Sequence, residues 1–331
     1  MRAAVIERFG DVNEIRIVDL PTPAPAPGQV LLRVAYAGVN PADWKSREGM
    51  TANFYPIQFP HVLGFDAAGV VVACGKGVTG VSEGDRVFTA ADHAAGTSGS
   101  YAEYMCVPAD ILAPVPQAMS LRTAAALPVA AITAWQAIMA RDRGNVQSSD
   151  AVLIHGASGG VGSFAVQFAR LQGAAVATSC SRKNLDYVTH LGSECALDYT
   201  RHNLADALKR WRPEGLDCIV DAVGGDTLTE PYALLRPGGT LVSIATLNAD
   251  GDIASDTARA AALGRRKVFA FMDTAELASE LVSIAQLIVA GRVQAPAITE
   301  YRLEDVQTAH RALATGHSCG KRVLRINDKL S

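Results

Sequence analysis

The sequence predicts an α/β protein: a β-rich first 120 residues, then a parallel sheet covered by helices on both faces, then a tail of mixed character. Three observations carry that reading. At 331 residues the chain is about twice the length of a common single domain. Hydrophobic residues make up 49 % and charged residues 19 %, enough apolar material for two cores and too much for a disordered chain. Near residue 122 the pattern also changes, from short strands parted by Gly, Pro and Asp turns to a repeated beat of apolar run, turn and amphipathic run.

From the N-terminus, residues 1–8 read as a short strand broken by the pair Glu7-Arg8, a pattern unlike a signal peptide. Apolar or alternating strands follow at 29–36, 67–73 and 102–107, and the Pro-rich piece 21–28 is an extended connector between strands. The Ala-rich stretch 121–141 is helical in character, and Pro128 breaks it or starts a fresh helix. Then come apolar runs at 151–155, 174–178, 195–197, 218–223 and 240–244, with 267–272 as a sixth. Between the first two lies a helix over 161–172, with Val161, Phe164, Ala165, Phe168 and Ala169 on one face. Strands alternating with helices form a parallel sheet covered on both faces. The tail reads as helix 275–290, strand 297–301, helix 303–314 and strand 321–326.

The formal net charge is −3, so no global field draws in nucleic acid or anionic lipid. No uncharged apolar run approaches the ~20 residues that cross a bilayer. Cys74, Cys106, Cys180, Cys195, Cys218 and Cys319 are scattered without a CxxC pair. The expectation is a reduced, cytoplasmic, globular protein that binds neither membrane nor nucleic acid.

The strongest local signal is residues 152–162, VLIHGASGGVG. Ala157, Gly159 and Gly162 fit A-x-G-x-x-G between a buried-looking strand and a helix, inside a run of βα units. Ala157 allows the tight turn, Gly159 lets a pyrophosphate approach the backbone, and Gly162 lets the helix pack closely. Ser158, Gly159, Gly160 and Val161 are expected to offer N–H groups to the phosphates at the helix start. NAD-specific sites place a carboxylate about 20 residues on. Here that place is Ser179, with no carboxylate before Asp186 and with Ser181, Arg182 and Lys183 in between. A hydroxyl and two cations suit a ribose 2′-phosphate, so the predicted cofactor is NADPH. The other reading, an ordinary solvated helix start, leaves two cations where the helix dipole disfavours them.

These residues, together with stretches 37–43, 60–71, 84–87, 99–104, 127–128, 133–135 and 235–239, resemble the medium-chain dehydrogenase/reductase superfamily. In particular they are similar to its zinc-independent quinone oxidoreductase branch, the relatives of zeta-crystallin. The resemblance implies a GroES-like catalytic domain, residues 1–122 with 274–331, and a Rossmann domain, residues 123–273. Zinc-using members hold their metal through a Cys, a Gly-His-Glu unit and a second Cys. The matching places here are Asn40, Gly64-Phe65-Asp66 and the vicinity of Val129, which cannot supply three ligands. The four-Cys lobe of those members would fall near 90–100, where there is no Cys. His61 and His93 are the remaining candidate ligands, read as isolated structural or surface histidines, and no metal is expected.

Without a Lewis acid, a conjugated acceptor such as a quinone or an enone needs the least help, and positioning, hydrogen bonds and water exclusion suffice. By the resemblance Asn40 is a polar residue beside nicotinamide and substrate; on its own it is also a turn residue before Pro41. Lys45 is either an ammonium near the substrate oxygen, as in similar enone reductases, or a solvated lysine. Tyr199 is similar to a tyrosine that contacts the adenosine phosphate in relatives, or is a strand-end aromatic. Phe54, Tyr55, Phe65 and Trp135 line an apolar pocket or are plain core. Stretch 94–100 is read as a mobile edge of the cleft. Phe269 and Phe271 are expected on an edge strand that joins two subunits, since relatives commonly form homodimers. The sequence thus points to an NADPH-dependent, zinc-free reductase of a quinone or α,β-unsaturated carbonyl compound. The alternatives are an enoyl-thioester reductase, for which no basic groove is evident, and a non-catalytic NADPH-binding protein.

Overall fold

The computed structural model describes residues 1–91, 93, 98–244, 253–316 and 318–330. The chain divides into two compact units, Met1–Ile132 with Asp273–Gly316 and Lys321–Ser331, and Thr133–Met272 with His317–Gly320.

The first unit opens with β1 (Arg2–Ile6), β2 (Arg16–Asp19) and β3 (Gln29–Val39). Helix α1 (Pro41–Arg47) starts where Pro41 fixes the first helical φ, and the Asp43 carboxylate accepts the backbone N–H of Asn40 at 2.6 Å. Strands β4 (His61–Val62), β5 (Asp66–Cys74), β6 (Arg86–Ala90), β7 (Tyr104–Pro108) and β8 (Ala113–Pro114) follow. Ser120 caps α2 (Leu121–Ala125) by accepting the Thr123 N–H, and Pro128 begins α3 (Pro128–Met139).

The second unit is built on six parallel strands: β9 (Ala151–His155), β10 (Ala175–Cys180), β11 (Cys195–Asp198), β12 (Leu216–Asp221), β13 (Leu235–Ser243) and β14 (Arg266–Phe269). Their order is β11-β10-β9-β12-β13-β14. The order reverses beside β9, which creates a switch point at the carboxyl ends of the strands. Every residue of β9 is buried, as a central strand covered on both faces requires. Helix α4 (Gly160–Leu171) lays Phe164, Ala165, Phe168 and Ala169 against the sheet, all 0 % exposed. Burying each phenyl group is worth about 2 kcal/mol. The other helices are α5 (Leu185–His190), α6 (Leu204–Trp211), α7 (Pro231–Leu234) and α8 (Ile253–Ala262).

The tail returns to the first unit through α9 (Leu277–Val289), β15 (Ile298–Arg302), α10 (Val306–Ala314) and β16 (Lys321–Arg325). Strand β16 pairs antiparallel with β3, setting Arg322 opposite Val39, and so brings Lys321 to the residue before α1. The larger sheet of this unit runs β15-β16-β3-β5-β6-β8, with β7 on β3. Its core includes Leu32, Val34, Leu63, Tyr101, Met105 and Leu324.

Strand β14 is an edge strand, as expected, but it ends at Phe269, so Phe271 lies beyond it. Of the stretch 94–100, residues 94–97 lie outside the described residues. Among the described residues no helix is long and apolar enough to cross a membrane.

Candidate active site: a glycine turn and a buried polar cluster

In the second unit, β9 delivers the chain into the glycine turn at its carboxyl end. Gly156 has φ +78° and turns the chain, and its N–H and that of Ala157 donate to the Ser179 carbonyl on β10 at 3.2 and 3.1 Å. The turn is therefore tied to the neighbouring strand. A Cβ on Gly162 would lie 2.4 Å from Gly156 O and 2.7 Å from Ala157 Cα, so the helix packs on the turn only with glycine there. Gly159 differs. Its φ is −73°, and a Cβ would meet only Gly156 O, at 3.4 Å. Neither backbone angle nor internal packing demands glycine at 159.

The donors are not all those expected. The Gly159 N–H closes a turn onto Gly156 O at 3.1 Å, so it is not a free donor. Gly159 serves as the N-cap residue of α4. The N–H groups of Ser158, Gly160 and Val161 have no acceptor among the described residues. With the Gly162 N–H they form the open start of α4, where the helix dipole favours an anion. The Ser158 hydroxyl donates to Ser318 O at 3.2 Å and accepts from the Asn184 amide at 2.9 Å, while Gly320 N–H donates to Ser158 O at 2.9 Å. The tail segment around Cys319 is thus fastened to the turn.

At the end of β10, Ser179 is 0 % exposed, and its hydroxyl lies 2.5 Å from His155 Nδ1. It is spent inside the fold and leaves ribose recognition to the residues that follow. Ser181 is half-buried, with its hydroxyl accepting from Asn184 at 3.3 Å, and Arg182 and Lys183 are exposed on a short 3₁₀ turn, Arg182–Asn184. Neither cation has an ion-pair partner among the described residues. Burial pushes the Cys319 thiol up, and nearby Lys183 pulls it the other way. Tyr199, after β11, is 44 % exposed. The group fits a phosphorylated dinucleotide: free N–H donors, a gap at Gly159, and unpaired cations.

In the first unit, Asn40 is 2 % exposed. Its Nδ2 donates to Asp66 Oδ2 at 2.9 Å, and its Oδ1 accepts from Lys321 Nζ at 2.5 Å. Lys321 also donates to Asp66 Oδ2 at 3.1 Å, and the Val129 N–H holds Asp66 Oδ1 at 2.8 Å. Asn40, Asp66 and Val129 therefore do meet, yet the local cation is the Lys321 ammonium. An amide, an aliphatic residue and a carboxylate already engaged by three donors do not fit a zinc ion. Among the described residues no three metal-ligating side chains are grouped.

A second chain of bonds runs from the same helix. Arg47 Nη1 donates to His310 Nδ1 at 3.1 Å, so His310 carries its proton on Nε2 and faces Tyr101 Oη at 3.4 Å. Tyr101 donates to Asp43 Oδ2 at 2.7 Å. Burial pushes Asp43 up to about 7 against the pull of the Asn40 N–H and the Tyr101 hydroxyl, and burial with Arg47 drives His310 down to about 3. Lys45, on α1, is 5 % exposed, so the solvated alternative does not hold. Its ammonium lies 5.6 Å from the Trp44 ring centroid and has no hydrogen-bond acceptor among the described residues. Burial lowers it to about 8.

The aromatic residues divide. Tyr55 packs edge-on to Phe65 with centroids 6.4 Å apart, and its hydroxyl bonds Ser46 at 2.6 Å. Trp135 instead packs on Phe168 in the second unit, and Phe54 is 54 % exposed. His61 and His93 are not isolated. Their rings are 5.3 Å apart, His93 packs 4.6 Å from Phe65, and burial with the neighbouring His93 lowers His61 to about 4. Sequence reasoning missed Lys321, Tyr101, His310 and Arg47. The available signal for Lys321 was a cation opening a strand otherwise bound for the core.

The parallel sheet, its switch point and its glycine turn define a dinucleotide-binding protein class. Residues 26–117 match the alcohol dehydrogenase GroES-like domain, and residues 191–324 match the family described as zinc-binding dehydrogenase. The human synaptic vesicle membrane protein VAT-1 homolog is 34 % identical over 251 residues, 75 % of this chain and 62 % of that protein. The chain thus matches about three-fifths of the length of such curated relatives. Pig (Sus scrofa) quinone oxidoreductase is 33 % identical over 247 residues, 74 % of this chain and 73 % of that protein. A mycobacterial protein solved with NADPH superposes with a TM-score of 0.87 at 27 % identity, over 98 % of this chain and 100 % of that one. The chain belongs to the medium-chain dehydrogenase/reductase superfamily, in its quinone oxidoreductase branch.

Proposed function

We propose that the protein is an NADPH-dependent oxidoreductase that reduces a quinone or an α,β-unsaturated carbonyl compound without a metal ion. The observation that carries the proposal is the second unit's anion site: three N–H donors open among the described residues, a glycine whose missing Cβ the protein itself does not need, and two exposed cations without ion-pair partners among those residues. Ser158, Gly160, Val161 and the gap at Gly159 would hold the pyrophosphate, with Ala157 and Gly162 shaping the turn. Ser181, Arg182 and Lys183 would hold the ribose 2′-phosphate, and Tyr199 would flank the adenosine.

When bound, reduced nicotinamide supplies hydride. The chain's own part is to bind and polarise the acceptor. Lys45 brings a poorly solvated ammonium that needs an acceptor, and a carbonyl or quinone oxygen gaining negative charge provides one. Asn40 brings an amide whose orientation is fixed. The kinship with quinone oxidoreductases and the NADPH complex of the mycobacterial relative support the reading.

The test is cofactor oxidation by chelator-treated protein against 1,4-quinones, enals, enones and enoyl thioesters, with NADPH and NADH in parallel. Turnover with quinones or enones and a clear NADPH preference is expected. Turnover confined to thioesters replaces the substrate class. Tight NADPH binding without turnover of any acceptor overturns the catalytic reading.

A further inference from the structure

Lys321, Asn40 and Asp66 close a triangle inside the first unit, with sides of 2.5 Å (Nζ to Oδ1), 3.1 Å (Nζ to Oδ2) and 2.9 Å (Nδ2 to Oδ2). All three residues are buried: Asn40 is 2 %, Asp66 0 % and Lys321 4 % exposed. The chemistry of the corners makes the triangle directional. An ammonium only donates, a carboxylate only accepts, and an amide has one face of each kind. Only one orientation of the Asn40 amide satisfies both neighbours. The flipped amide would set its NH₂ against the ammonium and its oxygen against the carboxylate, exchanging two charge-assisted bonds for two repulsions among buried groups.

The frame around the triangle is rigid. Val129 N–H fixes the far oxygen of Asp66 at 2.8 Å, Lys321 N–H donates to Ala297 O at 2.8 Å, and Asp43 holds the Asn40 backbone. A buried ion pair is weak evidence for stability, since desolvation offsets much of the attraction, and its best-attested use is to specify one arrangement over others. The arrangement specified here leaves Asn40 a single uncommitted Nδ2–H among the described residues.

We infer that Lys321 and Asp66 are positioning residues that hold the Asn40 amide as a one-way hydrogen-bond donor, keeping one N–H for the oxygen on which the acceptor develops negative charge. This rests on the reading of Asn40 as a site residue. Lys321 acts through Asn40 and touches no reacting atom, so removing either should cost the same thing once.

The experiment is a double-mutant cycle of Asn40→Ala and Lys321→Met, read as kcat, acceptor KM and NADPH Kd, with Lys321→Arg as the conservative control. Lys321→Met is expected to lower kcat by about 10–100-fold, below the loss of a whole oxyanion donor. Acceptor KM and NADPH Kd should change less than about twofold, and Lys321→Arg should recover most of the rate. Adding Lys321→Met to Asn40→Ala should cost less than about twofold more, because residues acting as a unit are non-additive. Multiplying losses, or an unchanged kcat in Lys321→Met, overturn the inference. Should Lys321→Met fail to fold, the Lys321→Met/Asp66→Asn pair removes both charges and is expected to fold with a low kcat; full activity in that pair contradicts the inference.

A second readout needs no turnover. In protein labelled with ¹⁵N only at asparagine, one Asn40 Nδ2 proton should exchange slowly and the other faster, and Lys321→Met should erase the difference. If wild-type protein reduces no acceptor, the functional proposal fails while this exchange still decides the triangle: two equally fast protons sink it.

Discussion

Among the described residues the Lys45 ammonium has no acceptor beside it, and burial lowers it to about 8. An unfolded lysine titrates near 10.4, so between about pH 8 and 10.4 the unfolded chain binds more protons at this position, and stability from this group rises with pH across that window. Lys45→Met is therefore expected to raise the melting temperature at pH 7, and the gain should fade as pH approaches 10.5. We propose that the same charge serves the reaction. kcat/KM should fall as pH rises through about 8, and Lys45→Met should lower kcat/KM by about 100-fold at neutral pH and abolish that limb, in line with a positioned proton donor. An unchanged limb in the variant removes Lys45 from the reaction. In the second unit, Arg182→Ala with Lys183→Ala should weaken NADPH binding by about 100-fold, two charge-assisted bonds being lost, and leave NADH within about twofold. Equal loss for both cofactors defeats the 2′-phosphate assignment. Titration calorimetry reads both.

At the scale of the element, the two glycines of the turn make opposite predictions. Gly162→Ala presses a methyl into backbone at 2.4 Å and should cost about 1–3 kcal/mol of stability, with cofactor binding falling as the turn shifts. Gly159→Ala meets only ordinary contact at 3.4 Å, so the variant should melt with the wild type and yet bind NADPH at least about tenfold more weakly. Thermal melts and a binding titration on the pair separate a packing glycine from a ligand-approach glycine. This turn was legible in the sequence because its cause is local: strand, small residues and helix lie within residues 152–172. The Gly159 N–H was misread because a glycine pattern does not say which N–H closes the turn. The polar cluster was only half legible. Asn40 and Asp66 belong to recognisable stretches, whereas Lys321 arrives 281 residues after Asn40 through the pairing of β16 on β3. The burial of Lys45 was equally invisible, since no alternation within the seven residues of α1 says which face is covered.

For the whole molecule, binding should show as stabilisation. NADPH at 100 times its dissociation constant adds about 2.7 kcal/mol to the state that binds it, whereas NADH at the same concentration should add much less. Edge strand β14, with Phe271 40 % exposed just beyond it, is our proposed subunit contact, and sedimentation at twice the chain mass, lost on Phe271→Lys, is the expected result. The scattered cysteines, four of them buried or half-buried, fit a protein whose cohesion comes from its two apolar cores, so a reductant should leave the melting curve unchanged. The central claim is that a phosphorylated, reduced dinucleotide gives hydride to a conjugated acceptor with no metal involved. Its most direct test is a reaction of NADPH deuterated at the transferred position of C4 with an enal or enone, using exhaustively chelated protein and product mass as the readout. One deuterium at the β-carbon for each NADPH consumed, at a rate indifferent to chelation, is the predicted result. Product without deuterium, or activity that disappears with chelation and returns with zinc, would contradict it.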